Sequence, residues 1–431
     1  PRMGRDILLS DTLTQRPISL VVMDKVAEHL TEIEAYVRST AERLGREVRP
    51  VPTTDLDAAL EGASFVITAI EVDRYLYWSQ DFHVPRKYAF RQVYGENGGP
   101  GGLFHALRNM GPMVEIARAM ERLCPNALLL NFANPEHKLC EAIARLTRIQ
   151  SVGLCHGVFS GLEQLAFLLG KQVAELDAKA CGINHFTWFE TVRDKATGED
   201  LYPALREAER EGDWLYEWHE YAMARVLFRV FGLWPSPGPN HYGEYVRWAE
   251  EFVASELQYF YDPADGHPWQ TGKVPEFVYS LAGDKTTRPW LPPEPKHERF
   301  DEAPLEPSGE LAVPIMEGVA CGEPQELDAI NVPNHGAIPN LPHDTVVEVP
   351  ARADAKGLHP QQMAPLPEGI AAMLRVQGSI QQLLVEAFAE RSKNKLLQAF
   401  LLDPTVDSYR RAVQCVEEML ELQRDLLGTF D

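Results

Sequence analysis

The chain is 431 residues long, 45% hydrophobic and 24% charged, with a net charge of −22. This composition excludes a disordered chain, and the length exceeds one ordinary core, so two packed lobes are expected. The acidic balance, without a basic stripe interleaved with aromatics, speaks against nucleic acid as a partner.

The longest apolar runs, such as FVITAI (65–70) and ALLLNFA (127–133), are too short for a membrane span. No charged-then-apolar leader opens the sequence, so a cytoplasmic location and no membrane partner are expected. Six cysteines, at positions 124, 140, 155, 181, 321 and 415, are scattered without a CxxC pair. That pattern is neither a disulfide framework nor a zinc ribbon.

In chain order, PRMGRDILLSDTLTQRP (1–17) reads as a helix already under way. ISLVVMD (18–24) is a β-rich strand ending in Asp24, and residues 26–45 have helical spacing closed by Gly45. ASFVITAI (63–70), NALLLNFANP (126–135) and QSVGLCHG (150–157) read as further strands, with an amphipathic helix at 111–125 between the first two. Apolar strands alternating with helices predict a parallel sheet covered on both faces. A dinucleotide fold of this kind begins with a strand and a glycine-rich turn. Neither is present in the sequence given, and the expectation is that the segment carrying them has been lost from its start.

The second half changes character. Helical stretches are expected over 199–232 and 244–260, then a Pro-rich surface excursion over 286–314. A β-rich segment follows at 327–354, and two helices, 370–391 and 407–427, close the chain. The predicted division is residues 1–170 and 171–431.

Four places carry candidate chemistry. Cys155 and His185 lie in apolar segments; each reads as a packed core residue or as half of an open metal shell completed by substrate oxygens. NFANPEH (131–137) sets Asn134 at the carboxyl edge of the sheet, where its amide can serve a polyol or simply begin a turn. The stretch 95–102 holds five glycines in eight residues, with Glu96 among them and no phosphate-loop Lys-Ser/Thr, so something must approach its backbone closely. In PNHYGEYVRW (239–248), Tyr242 and Tyr245 flank Glu244. A tyrosine is a base only where a cation lowers its pKa, and otherwise these rings are packing groups. Asp24, at the end of its strand, is placed either to bind a ribose or to cap the next helix.

These motifs, taken together with GLCHG (153–157), GINHFTWF (182–189), NVPNHGAIPNLPHDTVVEVP (331–350), GLHP (357–360) and LLDP (401–404), run through nearly the whole chain. In content and order they resemble glycoside hydrolase family 4, the NAD- and manganese-dependent glycosidases. The resemblance implies an α/β fold: a Rossmann-like NAD-binding domain followed by an α+β substrate domain of the lactate/malate dehydrogenase type. It also implies a departure from the two-carboxylate scheme of most glycosidases. NAD⁺ takes a hydride from sugar C3, a base removes the C2 proton, the aglycone leaves C1, water adds and the hydride returns.

By motif position, the resemblance makes Cys155 and His185 the metal ligands and Tyr245 the base. Asn134 would hold the sugar near C2 and C3 beside the cofactor. His156 would lie close to sugar and metal. Glu96, standing where many relatives have Asp, would be a polar contact to one of them, and Asp24 would hold the adenosine ribose. The residues after Cys155 resemble those of members acting on unphosphorylated α-glucosides, α-glucuronides or α-galactosides. Homodimers or homotetramers are implied. Two other readings are a 2-hydroxyacid dehydrogenase, opposed by the lack of an Asp/His catalytic pairing, and a non-catalytic sugar-binding relative, opposed by the intact Cys155, Asn134, His185 and Tyr245.

Overall fold

The computed structural model describes residues 2–212, 221–252, 257–260, 278–281 and 305–431. The opening residues form the expected helix, α1 (Arg2–Leu9), whose Leu8 packs on Tyr36, Val37 and Ala41 of α2 (Ala27–Leu44). Strand β1 (Leu20–Met23) precedes α2, which stops at Gly45, a left-handed residue as the sequence suggests.

Strand β2 (Pro50–Thr53), unexpected from the sequence, pairs in parallel with β1. Its two prolines obscure it, and it sits at an edge where a missing N–H is tolerated. Strands β3 (Phe65–Thr68), β4 (Leu128–Asn131) and β5 (Ser151–Gly153) are the other three expected, parallel and adjacent. Among the described residues no strand joins β1–β2 to β3–β5.

Two long helices stand between β3 and β4: α3 (Arg74–Lys87) and α4 (Gly99–Leu123). The helix expected over 111–125 begins earlier, directly after the glycine-rich loop starts. The loop's second half is already the first turn of α4. The reason is close packing of backbone on backbone: a Cβ on Gly101 would stand 2.2 Å from the Asp81 carbonyl oxygen, and one on Gly102 2.6 Å from the Asn97 carbonyl carbon. Helices α5 (Glu136–Leu146) and α6 (Gly157–Leu169) follow β4 and β5.

The main sheet does not end with the parallel strands. It continues through β9 (Gln325–Pro333) and β10 (Val346–Asp354) to β6 (Leu176–Ile183), β7 (Phe186–Asp194) and the short β8 (Pro235–Ser236), with β11 (Gly357–Pro360) on β10. These added pairings are antiparallel, including Asn331 opposite Gly153 where β9 meets β5. The chain end then returns to the parallel half. Helices α7 (Glu368–Glu390), α8 (Lys393–Leu402) and α9 (Tyr409–Leu422) share one core with α4 and α5, where Phe104, Met110, Leu384, Phe400 and Val416 are fully buried. Each such side chain stabilises the fold by about 2 kcal/mol.

The helix expected over 244–260 is not formed. Residues Gly243–Tyr245 and Ala249–Glu251 make single 3₁₀ turns, and Leu257–Phe260 pairs as a strand with Val278–Leu281. Tertiary burial of Tyr242, Tyr245, Val246 and Ala249 overrides the helical spacing, in a run rich in β-preferring residues. Of the helix expected over 199–232, Tyr202–Glu211 and Ala222–Phe231 are helical, while 213–220 and most of the Pro-rich passage lie outside the described residues. No helix among the described residues is long and apolar enough to cross a membrane.

Candidate active site and metal centre

The carboxyl ends of β3, β4 and β5 meet two further segments: the β6–β7 turn and the 3₁₀ turn at 243–245. Cys155 lies two residues beyond β5, just ahead of the N-terminus of α6, and the Gly157 N–H donates to its sulfur at 3.4 Å. Its Sγ is also 3.4 Å from His185 Nε2, so two residues thirty positions apart in sequence become neighbours. Burial, with the Glu348 charge behind it, pushes the Cys155 thiol up to about 12. The sulfur becomes a thiolate only when a cation arrives.

His185 occupies the two-residue turn Asn184-His185 between β6 and β7, with φ of 64°. A non-glycine residue in the left-handed region costs on the order of 1 kcal/mol, and Asn and His are among the side chains that accept it. The ring stands 4.1 Å, centroid to centroid, from that of His241. Burial lowers the pKa of both, keeping them neutral, and the Nδ1 of each is buried without a hydrogen-bond partner among the described residues. Glu96, His185 and His241 present ligand atoms within 4.8 Å of one another. Sulfur, two neutral imidazoles and a carboxylate form a donor set that suits a divalent transition metal.

Glu96 is held from both sides. Its carboxylate receives Arg74, and its backbone N–H, with that of Asn97, donates to Glu244 at 2.6 and 3.1 Å. The glycine at 98 lets this loop lie on the 243–245 turn, since a Cβ there would come 2.9 Å from the Tyr245 ring. Tyr245 itself is buried and stacked on Phe186 at 5.2 Å, and its hydroxyl donates to the Asn184 carbonyl at 3.5 Å. Burial, then the charges of Glu244 and Glu96, hold its phenol well above the ordinary value. Lys138 lies with its ammonium 5.8 Å from the Tyr245 ring centre. That amine is buried, donates to the Asn97 carbonyl, lies 3.0 Å from His137 Nε2, and is brought down to about 8 by burial.

Asn134 follows β4 at a cis Asn-Pro bond, and its carbonyl accepts the Asn109 side-chain N–H at 2.8 Å. Asn109 also donates to Glu71, which His105 and Arg74 grip as well. Burial works to raise the Glu71 carboxyl, but these partners outweigh it and hold it at about 2. His156 adjoins Cys155 in sequence, yet its ring is 57% exposed and bonded to Glu310 at 2.5 Å. Asp24 accepts the Val26 N–H at 2.8 Å, so it does tie down the start of the next helix, and its carboxylate is 35% exposed at the end of β1.

The structure therefore brings Cys155, His185, Glu96 and Tyr245 into one cluster, sets Asn134 at the adjoining strand end, and turns the His156 ring outward. Sequence reasoning missed His241, Lys138, Glu244, Asn184 and Glu348. His241 stood in PNHYGEYVRW beside the tyrosines, and Lys138 directly follows NFANPEH; each was legible as a residue but not as a neighbour.

Residues 2–171 match the family 4 glycosyl hydrolase model and residues 180–406 match the family 4 glycosyl hydrolase C-terminal domain. The chain belongs to glycosyl hydrolase family 4. Among its family 4 relatives, an alpha-glucosidase of Erwinia rhapontici is 30% identical, over 99% of this chain and 93% of the relative. An alpha-galactosidase of Bacillus subtilis is 32% identical over 93% and 88%. The fold is that of a 6-phospho-alpha-glucosidase from gut microorganisms solved in complex with NAD and Mn2+, with TM-score 0.75, 21% identity, and 100% and 98% of the two chains covered.

Proposed function

We propose that this family 4 chain hydrolyses unphosphorylated α-linked glycosides, an α-glucoside, α-galactoside or α-glucuronide, using NAD and a divalent cation such as Mn²⁺. The observation that carries this reading is the convergence of Cys155, His185, His241 and Glu96 with Tyr245 at the carboxyl ends of the strands, where open α/β sheets take their ligands. The names of the relatives agree with it, an alpha-glucosidase and an alpha-galactosidase at about one-third identity. Among the described residues, Lys138 and Arg74 lie beside the site and are already engaged by the Asn97 carbonyl and by Glu71 and Glu96. They offer no open cluster for a sugar phosphate.

Cys155 and His185 would hold the cation, with Glu96 and His241 within reach of it. Asp24 would take the cofactor ribose, its carboxylate being partly open at the end of β1. When bound, NAD supplies reversible hydride acceptance and the cation supplies Lewis acidity. Asn134 would orient the sugar hydroxyls near C2 and C3. Tyr245 would take the proton from C2. As a buried phenol it is a poor base, and positive charge beside it, from Lys138 and from a cation at Cys155, is what makes that step accessible. The division near residue 170 would separate the parallel half of the main sheet from its antiparallel half. Assembly into dimers or tetramers belongs to the same proposal and is read by sedimentation.

The deciding experiment is hydrolysis of p-nitrophenyl α-glucoside, α-galactoside, α-glucuronide and α-galacturonide under reducing conditions, with and without NAD⁺ and Mn²⁺. Turnover is expected only with both additions, and Cys155→Ser should abolish it in a folded protein. Turnover independent of either addition, or none on any substrate, would overturn the reading.

A further inference from the structure

Behind Cys155 lies a buried polar row that the proposed chemistry does not use. Asn331 of β9 stands opposite Gly153 of β5 on one side and opposite Glu348 of β10 on the other, and Glu348 stands opposite Gly182 of β6. Residues directly opposite one another share a face of the sheet. The row therefore reads glycine, Asn331, Glu348, glycine across four strands. The glycine at 153 leaves room: a Cβ there would fall 1.1 Å from the Glu136 carboxylate. All three polar side chains are almost fully buried.

Glu348 is not spent on holding the sheet. One carboxylate oxygen accepts the side-chain N–H of Asn331 at 3.1 Å and that of Asn184 at 3.4 Å, while the other has no hydrogen-bond partner among the described residues. Asn184 is the residue that matters. Its carbonyl accepts the Tyr245 hydroxyl, and it is joined by one peptide bond to His185, whose Nε2 lies 3.4 Å from the Cys155 sulfur. A buried carboxylate with an open oxygen costs stability, so its presence calls for an explanation.

We propose that Glu348 is a positioning residue for the metal-binding turn. By anchoring the Asn184 amide, it fixes the aim of the strained His185, whose Nε2 meets the Cys155 sulfur, and of the Tyr245 hydroxyl. This rests on the metal reading above. Groups that orient metal ligands from behind typically change metal affinity 10–100-fold when altered.

The test compares Glu348→Asp, which draws the carboxylate back from Asn184, with Glu348→Gln, which keeps an acceptor oxygen in place. Mn²⁺ affinity is read by electron paramagnetic resonance, and Co²⁺ is added separately to read the thiolate-to-metal charge-transfer absorption. Near-ultraviolet circular dichroism checks the fold. Glu348→Asp should weaken Mn²⁺ binding at least tenfold and diminish the cobalt band, while Glu348→Gln stays within about threefold of wild type. A merely structural role would lower the melting temperature and leave affinity and spectrum alone. A folded Glu348→Asp protein within twofold of wild type in affinity, with an unchanged cobalt band, overturns the proposal. If that variant does not fold, Asn184→Ala carries the same expectation and the same overturning result. Wild-type protein that binds neither metal overturns the metal reading as well, which separates the two failures.

Discussion

At the scale of single residues, the site is organised by burial more than by charge. Cys155, Tyr245, His185 and His241 are all pushed by desolvation toward their neutral forms. Neutral imidazoles are ready ligands, whereas the thiol and the phenol wait for a cation. The role assigned to Tyr245 has a direct consequence. Tyr245→Phe removes one hydroxyl and its hydrogen bond to the Asn184 carbonyl while keeping the ring stacked on Phe186. It should lower kcat by roughly 10²- to 10⁴-fold with little change in Mn²⁺ affinity. Loss of the solvent-exchange of the sugar C2 hydrogen, followed by NMR in deuterated buffer, assigns that drop to proton transfer. A variant turning over at the wild-type rate removes Tyr245 from the reaction.

At the scale of elements, the glycine-rich stretch shows how a signal can be sound and its cause different. Five glycines in eight residues implied close approach, and the approaching groups are the protein's own: the Asp81 carbonyl at Gly101, Asn97 at Gly102, and the 243–245 turn at Gly98. The first turn of α4 is thereby pressed against α3, and the loop before it carries Glu96 to the metal centre. Gly101→Ala should destabilise the protein by about 2–3 kcal/mol, since backbone cannot yield as a flexible side chain does. Thermal unfolding measures it. A melting temperature equal to wild type would show that α3 and α4 separate freely. The buried ion pair between Arg108 of α4 and Asp81 of α3, at 2.8 Å and closed off by Gln423, binds the same two helices and opposes such separation.

At the scale of the whole molecule, the chain end seals the parallel half. Glu141 of α5 is buried where α7 and β10 cross it, accepting Arg145 at 2.9 Å, Gln381 at 2.9 Å and the Val346 N–H at 3.2 Å. Burial lifts its carboxyl to about 7 despite these partners. The folded chain therefore keeps a proton there between about pH 4.5 and 7, where the unfolded chain has released it. Folding stability from this group falls as pH rises through that window. Glu141→Gln has no proton to lose. Urea titrations from pH 5 to 8 should show wild type losing on the order of 2–3 kcal/mol relative to the variant. Parallel pH profiles for the two proteins would mean that Glu141 ionises in place without cost.

The sequence by itself determined β1, β3, β4 and β5 and the helices α1 and α2, because apolar strands and amphipathic helices announce themselves within windows of a few residues. It also determined the family motifs, including Cys155, His185, Asn134 and Tyr245, since each is a short string of residue types. Tertiary structure alone decided what lies next to what. It broke the helix expected over 244–260 into turns, because Tyr242, Tyr245 and Ala249 each find a separate buried place. It brought His241 against His185, Glu244 under the Glu96 loop and Glu348 behind Asn184, pairings that span 56, 148 and 164 positions. It joined the parallel strands to the antiparallel ones in one sheet by setting Asn331 against Gly153. The physical reason is the same throughout: periodicity and turn chemistry act between near neighbours in the chain, whereas a site is defined by distances between residues that only the closed core brings together.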